Sequence, residues 1–155
     1  MYENSMKTME QLTMTKILPE ILVEVRKCKT EDEVKTVLWK NQSPAMRMMF
    51  QYIWHPKAIF SFKELPEYKP DLGPIGMSPN NLYNEMRKLY IFLDWKKIPL
   101  KKKTELLIQL LESIHPSEAV LVGQIFKHNL EIPLLTKELV LSLWPKINMW
   151  AEWMK

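Results

Sequence analysis

From Ile17 onward the apolar residues recur at helical rather than strand spacing. Ile17, Leu18, Ile21, Leu22 and Val25 form one stripe, with Pro19 in the first turn, where a missing N–H is tolerated. Thr30 with Glu33 reads as a capping box opening a second helix through Val34, Val37 and Leu38. Ser43-Pro44 reads as N-cap and first helical residue of a third, running to about Trp54. Ser78-Pro79 repeats that signature, and Leu82, Met86, Leu89, Tyr90 and Leu93 predict a long fourth helix. Leu106, Leu107, Leu110, Leu111 and Ile114 mark a fifth. Pro116 opens a sixth, to about His128, and Thr136 with Glu138 starts a seventh through Leu139, Val140, Leu143 and Trp144, stopped by Pro145. No pair of strands and no internal repeat is evident. The pattern predicts an all-α domain, a compact bundle of about seven helices.

Between the third and fourth helices the pattern breaks. Pro56, Pro66, Pro70 and Pro74, with Gly73 and Gly76, forbid a long helix over 55–77. The alternation Phe60-Ser61-Phe62 suits a short extended piece, and Phe60, Phe62 and Tyr68 are expected to tack this long Pro-rich loop to the core. Residues 1–16, rich in methionine, read as an N-terminal arm or frayed helix. Residues 17–147 read as the domain and 148–155 as an aromatic C-terminal tail.

Composition narrows the chemistry. The 155 residues suffice for one domain with a real core. Only three glycines occur, which argues against a glycine-rich phosphate loop. The single cysteine, Cys28, allows neither an internal disulfide nor a zinc site of several thiolates. No apolar stretch approaches the roughly 18 residues of a membrane span, and the N-terminus does not read as a secretory signal. The expectation is a soluble, cytoplasmic protein. His55, His115 and His128 are scattered, with no histidine or cysteine partner at i+3 or i+4. Cys28 reads as a small buried hydrophobe, and Glu67 and Asp71 as solvated loop carboxylates. No constellation for catalysis, a metal or a cofactor emerges, so the chain reads as a non-enzyme.

Charge changes the picture. The net value is +4, but residues 1–34 and 104–155 are each net −2 while residues 35–103 are net +8. Lys96, Lys97, Lys101, Lys102 and Lys103 crowd around Pro99. Such a cluster is either a solvated inter-helix loop or a phosphate-binding surface, since clustered lysines release counterions from a duplex without reading bases. Arg47, Lys57, Lys63, Arg87 and Lys88 belong to the same basic third and complete the candidate nucleic-acid-binding set. Of the tryptophans, Trp39, Trp54, Trp95 and Trp144 fall near helix ends, and most are expected in the core. Trp150 and Trp153 in the tail are candidate partner-binding residues, with packing onto the domain the favoured alternative.

The order of these motifs resembles the N-terminal helical DNA-binding domain of tailed-phage ATP-dependent DNA ligases, and a related group of small phage proteins. Ile17 to Leu38 is similar to the opening helix pair of that domain. Asn41 to Pro66, with Met46-Arg47-Met48-Met49-Phe50, resembles its third helix and exit, and Gly76, Leu82 and the helix after them are similar again. Most specific is the close: Leu106 to Ile114, Pro116-Ser117-Glu118-Ala119, Ile125-Phe126-Lys127, Thr136-Lys137-Glu138-Leu139-Val140 and Trp144-Pro145-Lys146-Ile147. The resemblance spans about residues 17–147. A ligase continues into a nucleotidyltransferase domain with a K-x-D-G lysine, and this sequence contains no K-x-D-G. Where the family has a glycine-containing turn before its last helix, this chain has Leu130-Glu131-Ile132-Pro133-Leu134-Leu135. The resemblance implies a non-catalytic phage module that binds duplex DNA through its backbone, in the cytoplasm of a host cell. The alternative expectation is a protein-interaction module, an inhibitor or adaptor of a host or phage complex, on the same fold.

Overall fold

The computed structural model describes residues 16–75 and 77–147. Within them the chain is all-α: α1 (Leu18–Lys27), α2 (Glu31–Lys40), α3 (Pro44–Trp54), α4 (Leu82–Glu85), α5 (Leu100–Ser113), α6 (Pro116–Phe126) and α7 (Lys137–Leu143). A 3₁₀ helix, Met86–Phe92, continues α4 directly. None of these helices is long and apolar enough to cross a membrane. Trp150 and Trp153 lie outside the described residues.

The starts of the helices follow local chemistry. The Ser43 hydroxyl accepts from Met46 N, and Thr136 accepts from Leu139 N. Thr30 accepts from Glu33 N, while the Glu33 carboxylate reaches back one residue further than a capping box requires, to Lys29 N. Each side chain satisfies an amide that has no partner within its own helix.

α6 is apolar nearly all round and forms the centre of the bundle, buried through Ala119, Leu121, Val122, Ile125 and Phe126. It packs against α1, α3 and α5. Its first turn holds Glu118, 1% exposed. One carboxylate oxygen accepts from His115 N at 3.1 Å, capping α6. The other accepts from Leu82 N at 2.8 Å, capping α4. One buried side chain thus closes two helix starts, and burial pushes its carboxyl above the ordinary value.

The long loop is tied down as its aromatics predict. Phe60 stacks on Phe126 with ring centres 4.5 Å apart, Phe62 lies against Phe92 and Phe126, and Tyr68 packs partly buried on the core. Phe60 makes one antiparallel bridge to Leu93, with Ser61 N donating to Phe92 O and Asp94 N to Ile59 O.

Two expectations need correction. Ser78-Pro79 does not open a long helix. The cap is Asn81, whose side chain accepts from Asn84 N, and the α-helical part ends at Glu85. Beyond it Met86, Leu89 and Phe92 are buried at three-residue intervals, the eclipsed face of a 3₁₀ helix. The Tyr52 hydroxyl donates to Met86 O from the core side. The tryptophans are the second correction. Trp39 is 54% and Trp95 40% exposed, and Trp54 and Trp144 are only half-buried. Trp39 stacks on Trp144, which adjoins Phe50 and then Trp54, an aromatic row along the α2–α3–α7 edge.

Candidate nucleic-acid interface

The lysine cluster is not one loop. Its N-terminal part, Lys96 and Lys97, lies in the turn between the 3₁₀ helix and Pro99. Its C-terminal part, Lys101 to Lys103, is the first turn of α5. The apolar stripe of α5 divides that second part again. Leu107, Leu110, Leu111 and Ile114 are buried, and Lys103 lies four residues before Leu107 on that same stripe. Lys103 therefore points inward and is 3% exposed. Its ammonium donates to Leu93 O at 2.8 Å and to Ser61 Oγ at 3.0 Å. This corrects the expectation that Lys103 is a phosphate contact. It is an internal staple that ties the turn after Leu93 and the Ser61 segment to α5.

Around that staple the other cations are displayed. Lys97, Lys101 and Lys102 are exposed, and none has a carboxylate partner among the described residues. Lys96 is half-buried, its ammonium 4.8 Å from the ring centres of both Tyr90 and Trp95. The Trp95 indole N–H donates to Lys57 O at 3.1 Å, which brings exposed Lys57 to the same place. Arg87 sits one 3₁₀ turn before Tyr90, so it shares that face. Lys57, Arg87 and Lys96 thus gather around Tyr90 and Trp95, and the exposed Lys97, Lys101 and Lys102 follow within six residues of Lys96, a basic surface region with two aromatic rings at its start.

Its placement opposes local stability. Lys101 and Lys102 stand in the first turn of α5, at the positive end of the helix dipole. That turn contains no acidic residue, and the N-cap, Pro99, offers no capping side chain. Every other α-helix of eight or more residues except α3 has an acid in its first turn. Neither an acid nor a capping side chain offsets Lys101 and Lys102 there, and positive charge added to a helix N-terminus suits an anion.

The remaining candidates are elsewhere. Lys88 pairs with Glu85 at 3.2 Å and lines a cavity of about 210 Å³ with Ile91, Leu106 and Gln109. Lys63 borders a groove of about 490 Å³ with Leu65, Gly123, Lys127 and Glu131. Arg47 donates to Gln42 Oε1 and borders a cavity of about 460 Å³ with Leu143, Trp144 and Ile147. The aromatic members Tyr90 and Trp95 were missed from sequence. The signal that could have found them was their position six residues and one residue before Lys96.

The histidines serve the backbone. His115 Nδ1 accepts from Ser117 N at the start of α6. His55 Nδ1 accepts from Lys57 N, and burial, then Lys57 and Lys137, hold the ring's pKa down to about 4. His128 has φ of 58°. It closes α6 in a Schellman motif, with Asn129 N donating to Gln124 O and His128 N to Ile125 O. Its Nδ1 lies 2.9 Å from Ile53 O. The Cys28 thiol donates to Glu24 O, and burial with Glu33 and Glu24 pushes its pKa up, which makes it a poor nucleophile. The turn before α7 plugs the core through Leu130, Ile132 and Leu135, and Arg26 donates to Leu130 O.

A family model matches residues 21–132, from α1 through the turn before α7. The chain belongs to that family, DUF6433, a family of unknown function. No curated protein and no solved structure matches the chain.

Proposed function

We propose that this protein is a non-catalytic module that binds duplex DNA through its phosphate backbone, with little dependence on sequence. One observation carries the reading: Lys97, Lys101 and Lys102 are exposed without carboxylate partners among the described residues, two of them at a helix end that disfavours cations. A surface that opposes its own helix dipole is a local conflict of the kind found at functional sites. The buried Lys103 supports the same reading, because it holds the turn that carries Lys96 and Lys97. The resemblance to the phage ligase DNA-binding domain agrees with it and suggests a phage origin and a host-cell setting. Gel shifts with two duplexes of unrelated sequence test the proposal. Equal affinity for both is expected, and loss of binding on changing Lys97, Lys101 and Lys102 to Ala. Discrimination beyond roughly tenfold would mean that bases are read.

A second reading, a protein-interaction module, is favoured by one feature. Trp39 is 54% exposed and stacks on Trp144 beside the cavity lined by Arg47, Leu143 and Ile147. Such an aromatic edge suits a partner's apolar side chain. Retained partner capture by a variant lacking the lysines, with no DNA binding by either form, would favour it.

A further inference from the structure

A surface that only neutralises phosphates has no use for an exposed indole. Trp95 keeps 40% of its surface in solvent, although Lys57 O holds its N–H edge and Lys96 covers part of its ring. Ile59, 58% exposed, pairs through its backbone with the residue before Trp95, and Leu100, 60% exposed, follows five residues after it in the chain. Ile59 is placed by its carbonyl, which accepts from Asp94 N, and Leu100 opens α5. Apolar surface is thus left open in the middle of the most basic part of the molecule. A duplex presents phosphates and sugars on its outside, with its base faces stacked away. An unpaired nucleotide presents both a phosphate and a π-face, and aromatic platforms within positive grooves hold single strands in this way.

The indole is also held in a fixed pose. Its N–H bond to Lys57 O and the Lys96 ammonium at 4.8 Å from the ring centre limit its rotation. Little ordering remains for a ligand to impose. Lys96 lies between Trp95 and Tyr90, where the phosphate flanking a stacked base would meet it. Trp39, the more exposed indole, already has Trp144 stacked against it and lies on the α2–α7 edge.

We infer that Trp95, with Lys96 beside it, is a stacking platform for an unpaired nucleotide, so that the protein prefers duplex ends or gaps with single-stranded character over intact duplex. This rests on the nucleic-acid reading above and adds to it a preference of structure rather than of sequence.

Fluorescence anisotropy at low salt tests it with three labelled probes: a blunt duplex of about two helical turns, the same duplex with a short unpaired 3′ extension, and the single strand. The extended duplex is expected to bind about fivefold or more tighter than the blunt one, the low end of base–aromatic stacking. Trp95→Leu, which keeps apolar bulk without a ring plane, should abolish the preference, so that the ratio of extended-duplex to blunt-duplex affinity falls to about one whatever its effect on the blunt duplex. Trp95→Phe should retain most of the preference. Should Trp95→Leu fail to fold by circular dichroism, Trp95→Phe serves through fluorescence. The extended duplex is expected to quench emission of the native protein more than that of Trp95→Phe, and equal quenching overturns the inference. Equal affinity for blunt and extended duplex overturns the platform but leaves the backbone-binding proposal standing. A preference that survives Trp95→Leu overturns the assignment to Trp95. Failure of all three probes to bind ends both readings.

Discussion

Reversing the two exposed lysines at the start of α5 is expected to make the protein more stable while it abolishes DNA binding. In Lys101→Glu/Lys102→Glu both side chains move from the wrong sign to the right sign at an N-terminus that has neither a first-turn acid nor a capping side chain. Each favourable charge at a helix end contributes about 0.3–1 kcal/mol, and removing an unfavourable one contributes similarly. Two reversals therefore stabilise by about 1.2–4 kcal/mol. Glu105 follows at i+4 and i+3, so new like-charge pairs take back about 0.2–0.5 kcal/mol each. Neither lysine has an ion pair to lose among the described residues. The net lies between about 0.2 and about 3.6 kcal/mol, centred on about 2, or roughly 4–8 °C in Tm at that centre for a domain of this size. Urea denaturation at low salt and at about 1 M salt measures it, and the gain should shrink at high salt, where the Debye length is about 3 Å. A variant less stable than the native protein at low salt would refute the view that these lysines are held against local stability. Unaltered DNA affinity in the same variant would refute their role as phosphate contacts.

Lys103→Met should lower stability by about 2–4 kcal/mol, since it removes charge-assisted bonds and leaves buried Leu93 O without its ammonium partner; a change under about 0.5 kcal/mol in urea denaturation would argue against the staple. Glu118→Gln exchanges one accepting oxygen for a donor that faces a backbone N–H, and should cost about 1–3 kcal/mol at pH 7. Because the folded pKa of Glu118 is raised, its proton-linked contribution is present below the ordinary Glu value and lost as pH climbs through the raised one. The gap between native and variant should therefore narrow as pH rises from about 4.3, and a gap that widens would contradict this. His55 titrates the other way: with its folded pKa depressed to about 4, its contribution is present above 6.5 and lost as pH falls from 6.5 to 4. His55→Asn should flatten that part of the stability profile, and an unchanged profile would contradict the assignment.

The parts of the fold legible in the sequence are those decided within a few residues. Thr30, Ser43 and Thr136 each bond an amide three residues on, so their sequence signal and their structural role coincide. Ser78-Pro79 looks identical to Ser43-Pro44 and fails because the decisive contact is distant. The first amide of α4, Leu82 N, is claimed by Glu118, 36 residues away. The buried series Met86, Leu89 and Phe92 was present in the sequence, but its three-residue interval competes with the 3.6-residue stripe that predicted a long helix. The basic surface was half legible. Charge density located it, and the phase of the Leu107–Leu110–Leu111–Ile114 stripe already set Lys103 apart from its neighbours. What stayed hidden was the clustering of Lys57, Arg87, Tyr90 and Trp95, which depends on how the Pro-rich loop returns to the 3₁₀ helix. Arg47, Lys63 and Lys88 share the charge of that surface and not its location.

Duplex affinity measured as a function of salt tests the central claim most directly, comparing the native protein with a variant in which Lys96, Lys97, Lys101 and Lys102 are Ala. Each phosphate contact contributes about 0.9 to the slope of log affinity against log salt, so the variant's slope should be shallower by up to about 3.6. Its affinity should fall alike for every duplex sequence. Native protein that fails to bind duplex at about 50 mM salt, or a variant with an unaltered slope, would contradict the account.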